Sequence, residues 1–99
     1  MGVYDELEKC VGFDWDEGNQ RKNWEKHRVS DAECEEVFFN EPVVARKDHK
    51  HSKHESRYFA LGQTDVGRFL FVAFTIRNSL IRVISAMDMT RREIRKYRS

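Results

Sequence analysis

Ninety-nine residues with a net charge of +1, 39% of them apolar and 35% charged, are enough for one modest core and a single domain over 1–99. No apolar run approaches a membrane span, the N-terminus lacks a basic region followed by an apolar one, and Glu6 stands where a myristoylation signal needs Ser or Thr. A cytoplasmic protein is therefore expected, and Cys10 and Cys34 are read as free thiols, two being too few for a disulfide framework or a metal site.

The small net charge hides a gradient. Residues 1–41 hold 5 basic and 12 acidic side chains, residues 42–76 hold 6 and 3, and residues 77–99 hold 7 and 2. A basic half of this kind attracts a polyanion or an acidic partner.

In chain order, residues 1–12 have weak periodicity and read as a flexible leader or a short helical turn. "FDWD" alternates like a short strand with Phe13 and Trp15 on one face, and Asp16 then caps a helix from Glu17 to about His27. Gln20, Trp24 and His27 share a face of that helix, which places Trp24 in the core. "SDAE" at 30–33 is a capping box that opens a second helix, ending near Asn40 because Pro42 cannot continue it. After Pro42 the period shortens to that of strands. "VVARKDH", "RYFALG", "RFLFVAFTIR" and "LIRVISAM" read as strands joined by a histidine-rich loop and by turns at 64–67 and 77–79. Thr90 and Glu93 form another capping box, and Ile94 and Tyr97 are the apolar pair of a last basic helix. The fold class is α+β: two N-terminal helices packed on an antiparallel sheet of about four strands, then a C-terminal helix.

Arg82 stands among Leu80, Ile81, Val83 and Ile84, so it needs an anion or an acidic partner from the early helices, and Arg77 lies just before it. The tract "KDHKHSKHESR" at 47–57 reads as a solvated or an RNA-facing loop, since Lys47, Lys50 and Lys53 would oppose a metal cation. Lys26 and His27 suit a helix C-terminus, and Tyr97 either anchors the last helix or reaches a phosphate. No metal, cofactor, phosphate-binding glycine loop or metalloprotease helix is indicated.

The ordered segments "FDWDEGNQRKNWEKHRVS", "AECEEVFFNEP", "HESRYFALGQTDVGRFLFVAFTIR" and "IRVISAMDMTRREIRKY" resemble the BrnT family, ribonuclease toxins of type II toxin-antitoxin modules. The resemblance implies a RelE-like fold, RNA cleavage that arrests translation and a BrnA-type antitoxin that binds the toxin. It also implies contact with promoter DNA only through the antitoxin complex, and a dimer within that complex. Its motifs bring forward Lys26, His27, Arg57, Arg77, Arg82, Thr90, Arg91, Arg92, Glu93 and Tyr97. Two positions depart from the family pattern: Arg28 where Gly is usual, and Met87 with Met89 where polar residues are usual.

The mechanism the resemblance implies is attack of a 2′-hydroxyl on the adjacent phosphorus, without a metal. Arg82 and Arg77 would stabilise the phosphoryl, with Arg57 as a third cation, while Lys26, Arg91, Arg92 and Lys96 hold the flanking RNA. His27, Glu93 and Tyr97, in that order, are the proton carriers to consider. The alternative is a non-catalytic module that binds nucleic acid or antitoxin through the same basic face.

Overall fold

A computed structural model describes residues 2–99; Met1, the first residue of the expected leader, lies outside the described residues. The chain runs α1 (Val3–Glu8), β1 (Gly12–Phe13), α2 (Glu17–His27), α3 (Asp31–Phe39), β2 (Val44–Lys47), a 3-10 turn (His49–His51), β3 (Arg57–Gln63), β4 (Phe69–Arg77), β5 (Leu80–Asp88) and α4 (Arg91–Arg98). The capping boxes form as their spacing predicts. Ser30 accepts from the Glu33 amide and Thr90 from the Glu93 amide, with each glutamate reaching back to the cap backbone.

The strands form one sheet in the order β1-β5-β4-β3-β2. Alternation gives it two faces. Leu70, Val72 and Phe74 of β4, with Ala60, Ile81, Val83 and Ala86, point into the core shared with Val29, Cys34 and Val37. Gly62 is needed there, because a Cβ would stand 2.7 Å from the Val37 side chain. The Cys34 thiol, buried in this core, is pushed up to about 12 by burial and is therefore inert. On the opposite face α4 covers only one end, where Leu61, Met89 and Tyr97 pack with Val44, Phe69, Phe71 and Ile94. Met89 thus sits under the chain's own last helix.

Side chains close both long edges of the sheet. Along β5, the Asn19 amide donates to the Val83 carbonyl at 3.3 Å and the Asn23 side-chain oxygen accepts from the Ala86 amide at 3.1 Å. Along β2, the Tyr4 hydroxyl accepts from the Ala45 amide at 3.0 Å. Pairing of this kind removes free edges that would otherwise recruit other strands.

Four expectations change. The sheet has five strands and is mixed, not purely antiparallel, because Gly12–Phe13 adds parallel to Leu80–Ile81. The pairing ends at Asp14, so Trp15 lies outside β1 and instead donates its indole N–H to Glu35 at 2.9 Å. Three helices precede the main strands rather than two, since of the two readings of residues 1–12 it is the short helix that forms, as α1, and it packs Val3 and Leu7 on the core. Trp24 is not core: it is 50% exposed, while Asn23 is the buried residue of α2. A helix lying along a strand edge meets backbone amides that need acceptors, and the Asn23 side-chain oxygen supplies one to Ala86.

Candidate active site

The register of three strands assembles one row across the face that α4 leaves open. Arg57 of β3 is opposite Thr75 of β4, and Thr75 is opposite Arg82 of β5. Thr75 is buried and donates its hydroxyl to the Ser56 carbonyl at 2.9 Å, which ties the row to the loop before β3. One step further along the same face stand Phe59 and Ala73, and then Leu61 and Phe71. Phe59 and Phe71 are half-buried and stack with centroids 5.5 Å apart.

Carboxylates hold the arginines in place. Arg82 meets Asp16 at 3.0 Å and Asp14 at 3.7 Å, and Arg77 grips Glu55 through two bonds of 2.5 and 3.0 Å. Arg82 therefore has the acidic partner that its apolar neighbours require, supplied by the cap of α2. The Asn19 amide and the Arg82 guanidinium hold the Asp16 carboxyl below its ordinary value, and the Arg77 guanidinium does the same for Glu55. The two pairs form one network, because Arg82 also acts on Glu55 and Asp14 on Arg77.

Beside the row opens a cleft of ≈ 810 Å³ lined by Lys50, His51, Lys53, His54, Glu55, Arg57 and Arg77. The histidine-rich loop is thus a wall of the site. Its base is closed by the Asp48 amide, which donates to the Arg57 carbonyl at 2.8 Å, and by the Ser52 hydroxyl, which accepts from the Arg57 amide at 2.9 Å. Asp48 then binds His51 twice, accepting from its backbone amide at 3.3 Å and pairing with its Nδ1 at 2.8 Å. The hydrogen bond from His51 keeps the Asp48 carboxyl below its ordinary range.

The remaining residues singled out from the sequence lie elsewhere. Thr75 and Phe69 are six residues apart on β4, so the arginine row and the α4 end of the face are roughly 20 Å apart. Lys26 and His27 close α2 near Asp88, on which His27 acts electrostatically, at the end remote from Arg82. The Glu93 carboxylate accepts from the Thr90 amide at 2.8 Å, within the helix cap. Tyr97 is buried and donates its hydroxyl to the Pro42 carbonyl at 2.6 Å, so it is an anchor. Arg91, Arg92 and Lys96 are exposed on α4. Arg57, Arg77 and Arg82 are brought together; His27, Glu93 and Tyr97 do not join them.

Arg68 was not singled out from the sequence, yet it is the most heavily engaged side chain. It bonds Asp88 at 2.7 Å, Glu33 at 3.0 Å, and the carbonyls of Arg28 and His27 at 2.8 and 3.0 Å. It fastens the C-terminus of α2 to α3 and to β5. Arg28 itself is left-handed at φ 53°, with its guanidinium 5.4 Å from the centre of the Trp24 ring. A glycine, which the resemblance leads one to expect at this position, would adopt that backbone conformation without strain.

Among the described residues no group of three or more His, Cys, Asp or Glu is placed to hold a metal ion, and no helix is long and apolar enough to cross a membrane. A family model described as the ribonuclease toxin BrnT of type II toxin-antitoxin systems matches residues 15–93. Among solved structures, the chain resembles the 1.1 Å crystal structure of the Brucella abortus ribonuclease toxin BrnT, with TM-score 0.59 and 22% identity over 83% of this chain and 100% of that one. No curated protein matches it.

Proposed function

Since the chain belongs to the BrnT family of ribonuclease toxins of type II toxin-antitoxin systems, we propose that it is a metal-independent endoribonuclease of RelE-like architecture whose centre is the arginine row. The observation that carries this reading is the in-register alignment of Arg57, Thr75 and Arg82, with Arg77 at the next position on the same face of β4. Three guanidinium groups at one end of an open sheet suit a crowded phosphorane, where negative charge gathers on non-bridging oxygens. The half-buried Phe59 and Phe71 beside them offer stacking surface to an unpaired base. Arg91, Arg92 and Lys96 extend positive charge from the α4 end, so a single strand laid along the face meets cations at both ends.

In this reaction the 2′-hydroxyl of one nucleotide attacks the adjacent phosphorus, a 2′,3′-cyclic phosphate forms, and a 5′-hydroxyl leaves. Arg82 and Arg77 receive the phosphoryl oxygens by exchanging them for the carboxylates of Asp16 and Glu55. The exchange is between like charges, which keeps the guanidinium groups oriented before substrate arrives. Positive charge comes from Lys50, Lys53, Arg57 and Arg77, a lining that disfavours a divalent cation.

Cleavage of messenger RNA would arrest translation. The neutralising partner would be an antitoxin of the BrnA type, placing acidic side chains on the arginines as Asp14, Asp16 and Glu55 now do, within a complex that contacts promoter DNA and holds two toxin copies.

The deciding experiment is cleavage of a defined single-stranded RNA in EDTA by the purified protein and by Arg82→Ala, with folding checked by circular dichroism. Cutting by the parent alone, leaving 5′-hydroxyl ends, supports the proposal. Binding without cutting by the parent would replace it with the non-catalytic RNA-binding module.

A further inference from the structure

Resting on the ribonuclease reading above, the geometry points to His51 as the general base that takes the proton of the attacking 2′-hydroxyl, with Asp48 as its positioning residue. Two independent features place His51 there. The side chain lines the same cleft as Arg57 and Arg77. The loop that carries it is fastened to Arg57 itself, through the Asp48 amide on the Arg57 carbonyl and the Ser52 hydroxyl beneath the Arg57 amide. His51 is therefore held in fixed relation to the first arginine of the row, despite lying in a loop.

Asp48 sets the ring. One carboxylate oxygen accepts from the His51 backbone amide and the other pairs with Nδ1 at 2.8 Å, which orients the imidazole and favours the tautomer protonated at Nδ1. The lone pair then resides on Nε2. Orientation of an imidazole by a carboxylate on its far nitrogen is the arrangement a proton acceptor needs. His27, Glu93 and Tyr97 have no such access, for the reasons of distance and occupancy given above.

The step balances without a further reagent. Nε2 takes the 2′-hydroxyl proton, the O2′–P bond forms, the P–O5′ bond breaks, and the departing 5′-oxygen takes a proton from water. His51 then returns its proton to solvent.

The test uses single-turnover cleavage of an unstructured RNA oligonucleotide in EDTA, with RNA affinity measured in parallel. His51→Ala is expected to lose about 100-fold or more in rate while binding RNA within about twofold of the parent, since the phosphate cations remain. Added imidazole should restore cleavage in proportion to its concentration, and substituted imidazoles of different basicity should rescue to different extents. Asp48→Asn keeps the bond to the His51 amide and should lower kcat about tenfold or more with KM unchanged. His49→Ala, outside the cleft, should cut at the parental rate.

The assignment is overturned if His51→Ala cuts as fast as the parent, if imidazole gives it no rescue, or if His54→Ala is the variant that imidazole rescues. A parent that cuts beside an undiminished His51→Ala removes this assignment alone. A parent that leaves all RNA intact removes the ribonuclease reading and the assignment with it.

Discussion

Arg82 and Asp16 meet at 3.0 Å, so the carboxylate that caps the first turn of α2 also holds an arginine of the sheet face. One oxygen accepts from the Asn19 amide at 3.1 Å and the other takes the guanidinium. Helix start and candidate site are thus built on one side chain. Asp16→Asn separates the two jobs, because asparagine caps equally well but carries no charge. The variant should keep the helical signal of the parent in circular dichroism, because the Asn19 amide still finds an acceptor. It should also bind single-stranded RNA several-fold more tightly at low salt, since Arg82 loses its internal competitor. Fluorescence anisotropy at two salt concentrations measures this, and unchanged or weaker binding would remove Arg82 from the RNA contact.

Arg68 gives a stability prediction. Removing it in Arg68→Met strands the carboxylates of Asp88 and Glu33 and leaves two helix-terminal carbonyls of α2 without their donor. The side chain keeps partial solvent access, so the cost falls below that of a fully buried pair, at about 2 kcal/mol. Urea denaturation measures it, with an unchanged slope expected.

The same cluster sets a pH dependence. The Arg68 guanidinium holds Asp88 below its ordinary 3.8, so the folded state favours the ionised form. Stability from this source is complete above the ordinary value and is lost as pH falls through the depressed one. The difference in Tm between the parent and Arg68→Met should therefore be largest near pH 7 and shrink at about pH 2.5. Equal differences at both values would mean that Arg68 acts through packing alone.

What could be read along the chain was whatever adjacent residues settle between themselves. Both capping boxes, the stop before Pro42 and the change of period after it are short-range chemistry, and so is the turn at Asn78 and Ser79, where φ is 52° and 61°. Trp24 and Asn23 show where this fails: facial spacing favoured the aromatic, while α2 lies on a strand edge where the Ala86 amide needs an acceptor, which Asn23 supplies. The two-residue β1 carries too little pattern to announce that it pairs parallel. The arginines of the site were visible by type, but their grouping depended on register between strands. Arg68 was missed because its partners come from distant elements, and the Asp48–His51 pair because its place beside the site depends on how the loop closes onto Arg57. The signal for the pair itself is local: Asp48 and His51 stand three apart, the spacing of a single 3-10 turn.

Arg28 offers a clean test of backbone strain. Arg28→Gly and Arg28→Ala both remove the contact with Trp24, so the difference between them isolates the left-handed conformation. Glycine should be the more stable by about 1 kcal/mol, read from chemical denaturation followed by tryptophan fluorescence. A gap near zero would mean that the helix end relaxes out of the left-handed region.

Tyr97 separates anchoring from chemistry at the tail. Its ring packs against Phe69 with centroids 5.8 Å apart, and its hydroxyl donates to the Pro42 carbonyl while accepting from Gln63 at 3.4 Å. Tyr97→Phe keeps the ring and removes both bonds. It should cost about 1 kcal/mol in stability and speed amide exchange in α4, because a helix of eight residues depends on tertiary contacts for its order. The cleavage rate should stay within about twofold of the parent, since the hydroxyl is roughly 20 Å from the arginine row. A large fall in rate with stability intact would instead bring Tyr97 into the chemistry, and would require α4 to leave its place on the sheet during turnover.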